Sequence, residues 1–184
     1  MRLAANLGID RKAVNEAITL SHSRLTYSII PSTFDFYWQP PSYPYDPAQA
    51  KKLLAEAGYP NGFDAGDYYV DVSYSNLHEV VVNYLQQIGI RAKLIGRERA
   101  SHWSTYADKK YKNLAYTASG AFGNAATRLE SYVIAGGTYV YGSYPDLDSL
   151  FNNGHGPRVQ ESGLGLIPGH AYSAPYEDVK LKAK

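Results

Sequence analysis

Apolar residues in the middle of the chain recur with two different spacings. Between residues 68 and 74 they alternate with more polar neighbours, which predicts a strand because successive side chains of a strand point to opposite faces. Between Leu77 and Ile88 they recur at every third and fourth position, which predicts an amphipathic helix. The same patterns predict a strand over 90–95, a helix over 100–110 and a strand over 114–118. Strands alternating with helices indicate an α/β fold, with a mostly parallel sheet flanked by helices.

The strand that begins at Leu114 leads into a glycine-containing turn and a further helix. Gly120 and Gly123 allow a sharp turn, and the side chain of Asn124 is placed to cap the helix that follows. Ligands of open α/β sheets usually bind where a strand ends in such a turn below a helix N-terminus. The turn is therefore predicted to form the lip of a binding site.

The helix after Asn124 is expected to pack on a core and to end at the glycine pair 136–137. A second, aromatic strand is predicted over 138–142, and a short helix over 146–151. The core-facing side of the helix after Asn124 is expected to consist of Leu129, Tyr132 and Val133.

The first part of the chain is predicted to contain three helices and one long connector. Residues 2–19 have helical spacing interrupted at Gly8, and Asp10 is a good cap for the second piece. Asp46 and Pro47 are typical of a helix start, and Gly58 of its end. An amphipathic helix at the very start leads us to expect a further N-terminal part.

The proline-rich stretch from 21 to 45 shows no sustained periodicity and is predicted to be a long ordered loop. Its aromatic cluster either attaches the loop to the body of the domain or lines a ligand cleft, as loop aromatics often do. The cluster consists of Phe34, Phe36, Tyr37 and Trp38.

Composition excludes several classes of function. The 18 basic and 17 acidic residues give a net charge of +1, so the chain lacks the excess of positive charge that would favour a nucleic-acid partner. The chain has no cysteine, which excludes disulfides and thiolate metal sites. No apolar run approaches the roughly 18 residues of a membrane span. The segment after Met1 is amphipathic and does not resemble a signal peptide.

The sequence contains no recognised catalytic or metal-binding motif. The histidines are scattered, so we predict no metal site and no cofactor. Asp64, Asp67 and Asp71 lie close together, and a solvated sheet edge is their expected environment. Residues 120–123 are followed by no GK[ST], so they form no phosphate loop. The sequence therefore argues against an enzyme, with a small carboxylate-using hydrolase left as a weaker option.

Three segments resemble extracytoplasmic solute-binding proteins of family 5, the peptide/nickel type that serves ABC importers. RLAANLGIDRKAVNEAIT at 2–19 is similar to a helix of that family, and YPYDPAQAKKLLAEAGYPNGF at 43–63 is the most specific match. VVNYLQQIGIRAKLIGRE at 81–98 resembles its helix–strand unit. RVQESGLGLIPGHAYSAPYEDVKLK, from 158 onward, resembles the ending of one branch.

The resemblance implies one C-terminal lobe of a periplasmic-binding-protein type II fold over 1–184. Its expected parts are a connector region over 1–45, an α/β core over 46–151 and a tail over 152–184. It implies a periplasmic or extracytoplasmic protein that binds peptides or similar small solutes by hinge closure. The implied partners are the membrane permease subunits of an ABC transporter and a missing N-terminal lobe. The family's usual helix is absent near 151–156, which leads us to expect an internal deletion there.

The resemblance also assigns ligand-binding residues. Asn124 lies about where peptide-binding relatives carry an aspartate that pairs with the ligand's α-ammonium, and its neutral amide puts a peptide ligand in doubt. Phe122 replaces a frequent tryptophan in its apolar contact. Arg128 is a candidate for a ligand carboxylate, although a partner such as Glu130, or solvent, is its commoner environment on a helix surface. The remaining expected ligand-binding residues are Gly123, Tyr74, Ser75, Phe36 and Trp38.

A second function class stays open at this point. The aromatic loop at 34–38 would also suit an α/β module that contacts a protein partner and takes no part in transport. A solute receptor and an interaction module differ in whether a small ligand binds.

Overall fold

A computed structural model describes residues 1–118 and 123–154. The chain divides into two compact units, of which the first comprises residues 1–27 and 40–118. The second comprises, among the described residues, 28–39 and 123–154. Beyond residue 154, the expected tail over 152–184 and the deletion expected near 151–156 lie outside the described residues, as do residues 119–122 of the glycine turn.

A three-stranded parallel sheet forms the centre of the first unit, as the alternating pattern predicts. Its strands are β1 (Phe63–Asp71), β2 (Ile90–Arg97) and β3 (Leu114–Ala115), in the order β2-β1-β3. Phe63 lies opposite Ile90 and Tyr68 lies opposite Leu114. Because all three strands run the same way, their carboxyl ends share one edge of the sheet.

The position of β1 differs from the prediction of a strand over 68–74. The strand begins five residues earlier, where a bulge between Asp64 and Asp67 and a positive φ of 73° at Gly66 interrupt the alternation. It ends at Asp71, whose carboxylate accepts a 2.9 Å hydrogen bond from the amide of Ser73 and so stabilises a 3₁₀ turn. Val72 is consequently 58% exposed and not part of a buried alternation.

Two helices of the first unit, those after Asp10 and Asp46, begin where their capping residues predict. α1 (Arg2–Leu7) and α2 (Arg11–Thr19) are separated at Gly8, and the carboxylate of Asp10 caps α2 by accepting from Ala13. α3 (Pro47–Glu56) starts with an equivalent bond from the amide of Gln49 to Asp46. α4 (Ser75–Gln87) and α5 (Arg99–Ala107) follow β1 and β2, α5 being shorter than its predicted range of 100–110.

One hydrophobic core joins the first helices to the sheet. Burial of each large apolar side chain contributes roughly 1.5–3 kcal/mol relative to exposure. The core therefore fixes α1, α3 and α4 against β2. Its buried members are Ala4, Leu7, Ala50, Leu54, Leu85, Ile88 and Ile90.

The second unit contains α6 (Ala125–Tyr132), α7 (Pro145–Gly154) and the loop over 28–39. The capping of α6 by Asn124 and the helix expected over 146–151 are both confirmed. α6 ends at Tyr132, four residues before the predicted glycine pair. Its buried residues are Ala125, Ala126 and Arg128, whereas the predicted stripe of Leu129, Tyr132 and Val133 is only half-buried.

The aromatic strand predicted over 138–142 is wrong, since these residues form turns and bends. The amide of Tyr139 donates to the carbonyl of Ser131, and the rings of Tyr139 and Tyr132 stack at 4.7 Å. The segment therefore folds back on α6. Its aromatic residue packs on that helix and does not pair in a sheet. No helix in the described ranges has the length and apolar character required to traverse a bilayer.

Candidate functional site

Polar and aromatic side chains gather at the carboxyl edge of the parallel sheet in the first unit. They follow the ends of β1 and β3 or lie in the first turns of α4 and α5. This edge is the usual ligand-binding side of an open α/β sheet. We name these residues the carboxyl-edge cluster: Asp71, Tyr74, Ser75, His78, Arg99, His102 and Tyr116.

Asp71 ends β1 as a fully buried carboxylate, which corrects the solvated environment expected from the sequence. One oxygen accepts from Ser73, and the other lies 3.3 Å from Nη1 of Arg99. Burial raises the pKa of the Asp71 carboxyl, but the Ser73 hydrogen bonds and the Arg99 charge outweigh it, so the net pKa is lowered. The neighbouring Asp64 and Asp67 are also engaged, by the amide of Gly66 and the hydroxyl of Tyr69.

His78 lies in the second turn of α4 and is 6% exposed. Its Nδ1 lies 2.7 Å from the hydroxyl of Tyr68, whereas its buried Nε2 has no hydrogen-bond partner among residues 1–118 and 123–154. Burial, and second the nearby His102, lower the pKa of His78 to about 4. Burial raises the pKa of the Tyr68 hydroxyl as well. The pair is therefore neutral at pH 7.

His102 of α5 is completely buried and has partners at both ring nitrogens. Its Nε2 lies 3.0 Å from the carbonyl of Tyr116, and its Nδ1 lies 3.1 Å from the hydroxyl of Tyr111. Because a carbonyl only accepts, the proton belongs on Nε2, and Tyr111 donates to Nδ1. His102 thereby holds the backbone just beyond β3.

The Tyr116 ring completes the cluster on the side of α4. Its centroid lies 4.3 Å from that of His78 and 5.2 Å from that of Tyr74. Burial raises the pKa of Tyr116 to about 12, so the hydroxyl stays protonated. Tyr74 and Ser75, which we expected at a strand end, lie in the 3₁₀ turn and at the start of α4. The structure thus brings Tyr74 together with Tyr116 at the carboxyl edge.

The other predicted site residues belong to the second unit, except that Phe122 lies outside the described residues. Gly123 has a φ of 74° and directly precedes Asn124. The side-chain oxygen of Asn124 accepts from the amide of Thr127 at 3.0 Å, while the Thr127 hydroxyl accepts from the amide of Asn124. In the described part of the chain, the side-chain NH₂ of Asn124 makes no hydrogen bond. Asn124 therefore has an N–H donor to offer a ligand.

Arg128 is buried, which corrects the expectation that it faces solvent or pairs with Glu130. Its Nε donates a 2.8 Å hydrogen bond to the carbonyl of Ile29, and its guanidinium lies 5.7 Å from the centre of the Tyr132 ring. Arg128 therefore ties α6 to the loop over 28–39. In that loop, Phe36 and Trp38 are half-buried, and Phe36 has a positive φ of 64°.

Sequence reasoning missed most of the carboxyl-edge cluster. His78 precedes the buried Leu85 by seven residues, so helical spacing places both on one face of α4. The pairing of Asp71 with Arg99, which are 28 positions apart, has no such local signal. Within the described ranges no three His, Cys, Asp or Glu side chains gather as a metal site.

The sequence profile of the family "Bacterial extracellular solute-binding proteins, family 5 Middle" matches residues 1–139. Heme-binding protein A of Haemophilus influenzae is 34% identical over 131 residues, which are 67% of this chain and 23% of that protein. Glutathione-binding protein GsiB of Salmonella choleraesuis is 31% identical over 97 residues, which are 51% of this chain and 19% of that protein. The matches thus span less than a quarter of these curated relatives.

Solved structures show the same fold. HbpA2 from Haemophilus parasuis matches with a TM-score of 0.76 and 21% identity, covering 96% of this chain and 35% of that one. The periplasmic binding protein DppA from Helicobacter pylori, in complex with the peptide STSA, matches with a TM-score of 0.70 and 20% identity, covering 96% and 36%. The fold is that of a type II periplasmic binding protein lobe. The profile match over residues 1–139 settles the family: this chain belongs to the bacterial extracellular solute-binding proteins of family 5.

Proposed function

We propose that the chain is the ligand-binding lobe of an extracytoplasmic receptor that delivers peptides or similar small solutes to an ABC importer. The observation that carries the proposal is the carboxyl-edge cluster. Aromatic rings and charged groups converge there, at the side of a parallel sheet where ligands usually bind. A bound peptide in DppA, and the names of the heme- and glutathione-binding relatives, support a small solute as the ligand.

The proposed mechanism is closure of two lobes about a hinge, without covalent chemistry. An N-terminal lobe and the permease subunits of the importer are the proposed partners, and a periplasmic or extracytoplasmic location follows from the same function. Tyr74 and Ser75 are the proposed solute contacts within the carboxyl-edge cluster of the first unit. Separately, the family resemblance makes Gly123, Asn124, Phe122, Arg128, Phe36 and Trp38 further candidates for contact with a solute.

The state of Asn124 bears on the kind of solute. A carboxylate at this position would attract an α-ammonium, but Asn124 carries no charge and its oxygen already caps α6. Its N–H donor is better matched to a carbonyl or carboxylate oxygen of the solute. Membership of a solute-binding family does not favour the alternative of an interaction module built on residues 34–38.

The proposal is tested by titrating the 184-residue chain, alone and joined to an N-terminal lobe, with a pool of di- to hexapeptides and reading bound mass by native mass spectrometry. Tyr74→Ala removes a ring that packs on Tyr116 and is expected to weaken binding about tenfold. Tyr59→Ala is the matched control, because Tyr59 packs on Phe63 at the opposite end of β1. Equal weakening by both substitutions, or no bound peptide at all, would contradict the proposal.

A further inference from the structure

Arg99 combines an exposed guanidinium with a buried carboxylate partner. Its side chain is 62% exposed, whereas the Asp71 carboxylate that holds it is 0% exposed. The contact is made by Nη1 alone, at 3.3 Å from Oδ2 of Asp71. Asp71 itself is fixed by the amide of Ser73. The guanidinium is therefore oriented by a rigid group at the end of β1 and still reaches solvent.

Most of the hydrogen-bonding capacity of Arg99 is left over. A guanidinium carries five N–H donors in a planar fork that matches a carboxylate in a two-bond arrangement. Within residues 1–118 and 123–154, the Arg99 side chain makes one hydrogen bond, and its acceptor is Asp71. A salt bridge serving stability alone would gain little from a guanidinium that is mostly in water.

The neighbouring acid does not occupy this fork. Both carboxylate oxygens of Glu98 accept from backbone amides, those of Ala100 and Ser101, at 3.0 Å each. Arg99 begins α5, the helix whose His102 donates from Nε2 to the carbonyl of Tyr116 at 3.0 Å, and the Tyr116 ring packs on Tyr74. Arg99 thus lies beside an aromatic surface at the carboxyl edge, where a solute with both apolar and anionic parts would fit.

We infer that Arg99, oriented by Asp71, selects solutes that carry a carboxylate and binds that carboxylate at the carboxyl edge of the sheet. This inference rests on the proposed receptor function and specifies in addition that the ligand carries a negative charge.

The test compares each di- to hexapeptide as a free acid with the same peptide as a C-terminal amide, by isothermal titration calorimetry. The unaltered chain is expected to bind the acids about tenfold or more tightly. Arg99→Gln is expected to abolish this preference and Arg99→Lys to retain part of it, since lysine keeps the charge without the fork. Arg97→Gln is the matched control, because Arg97 lies opposite Asp71 in the sheet and its removal takes away one positive charge while the Arg99–Asp71 contact is kept.

Arg99→Gln leaves a buried carboxylate without its partner, so the double variant Asp71→Asn/Arg99→Gln is measured as well. Loss of the acid preference in both variants, with binding of the amides retained, supports the inference. Equal binding of acids and amides by the unaltered chain, or an acid preference that survives Arg99→Gln, overturns it and leaves the receptor function intact. Failure of the unaltered chain to bind any peptide overturns the receptor function and, with it, this inference.

Discussion

The hydroxyl of Tyr68 lies 2.7 Å from Nδ1 of His78, so a residue of β1 holds a residue of α4 inside the carboxyl-edge cluster. The other ring nitrogen of His78 is buried without a partner in the described ranges. A second proton on the imidazole would therefore place an unpaired charge among aromatic rings. This arrangement links the stability of the first unit to pH.

We expect the free energy of unfolding to fall as the pH is lowered from about 6.5 to about 4. The pKa of His78 is about 4 in the folded protein and 6.5 ordinarily, so the unfolded chain binds the extra proton throughout this window. The contribution lost is on the order of 3 kcal/mol. Urea unfolding at a series of pH values measures it.

His78→Gln should flatten this pH dependence, and His22→Gln should leave it unchanged because His22 is exposed. Asp71 acts in a different window, since its pKa is lowered from 3.8 and its contribution is lost only at more acidic pH. A slope between pH 4 and 6.5 that survives His78→Gln would contradict the assignment.

Gly62→Ala is expected to destabilise the protein by about 3 kcal/mol or more, because backbone strain and a clash act together. Gly62 has a φ of 73°, and an added Cβ would lie 2.0 Å from the carbonyl oxygen of Gly89, which accepts from Phe63 where β1 begins. Gly58→Ala is the control, since Gly58 has a φ of 90° but nothing within 4 Å of an added Cβ. Chemical denaturation of both variants should give a clearly larger loss for Gly62→Ala, and equal losses would exclude the clash.

Asn124→Ala should lower the free energy of unfolding by about 1 kcal/mol, since the amide of Thr127 loses its acceptor at the start of α6. Asn124→Asp keeps an acceptor and should be nearly neutral. Thermal unfolding of the two variants separates capping from any role in binding. A loss of similar size in both would show that the amide group matters for another reason.

Leu54→Ala should destabilise the first unit by about 2–5 kcal/mol, because it leaves a cavity among α1, α3 and α4. Leu54 is 1% exposed, whereas its neighbour Leu53 is only half-buried beside the same core. Leu53→Ala should therefore have a smaller effect in urea denaturation. The reverse order would show that the core is packed differently.

The sequence by itself determined the starts of three helices, the parallel sheet and the family. Asp10, Asp46 and Asn124 cap their helices through bonds to amides three residues away, so a short stretch of sequence contains the whole interaction. The alternation of strands and helices predicted over 68–118 likewise needs only local periodicity. These features depend on neighbours along the chain.

Only the tertiary structure decided where strands stop and which polar groups are buried. β1 ends at Asp71 because that carboxylate finds both a local amide and the distant Arg99. Arg128 is buried because Ile29, 99 positions away, offers a backbone carbonyl to its Nε. Tyr139 stacks on α6 and adds no strand to the sheet. In each case the contact that decides the structure is to a residue that is distant along the chain or comes close only in the folded protein. The local sequence pattern therefore cannot predict that contact.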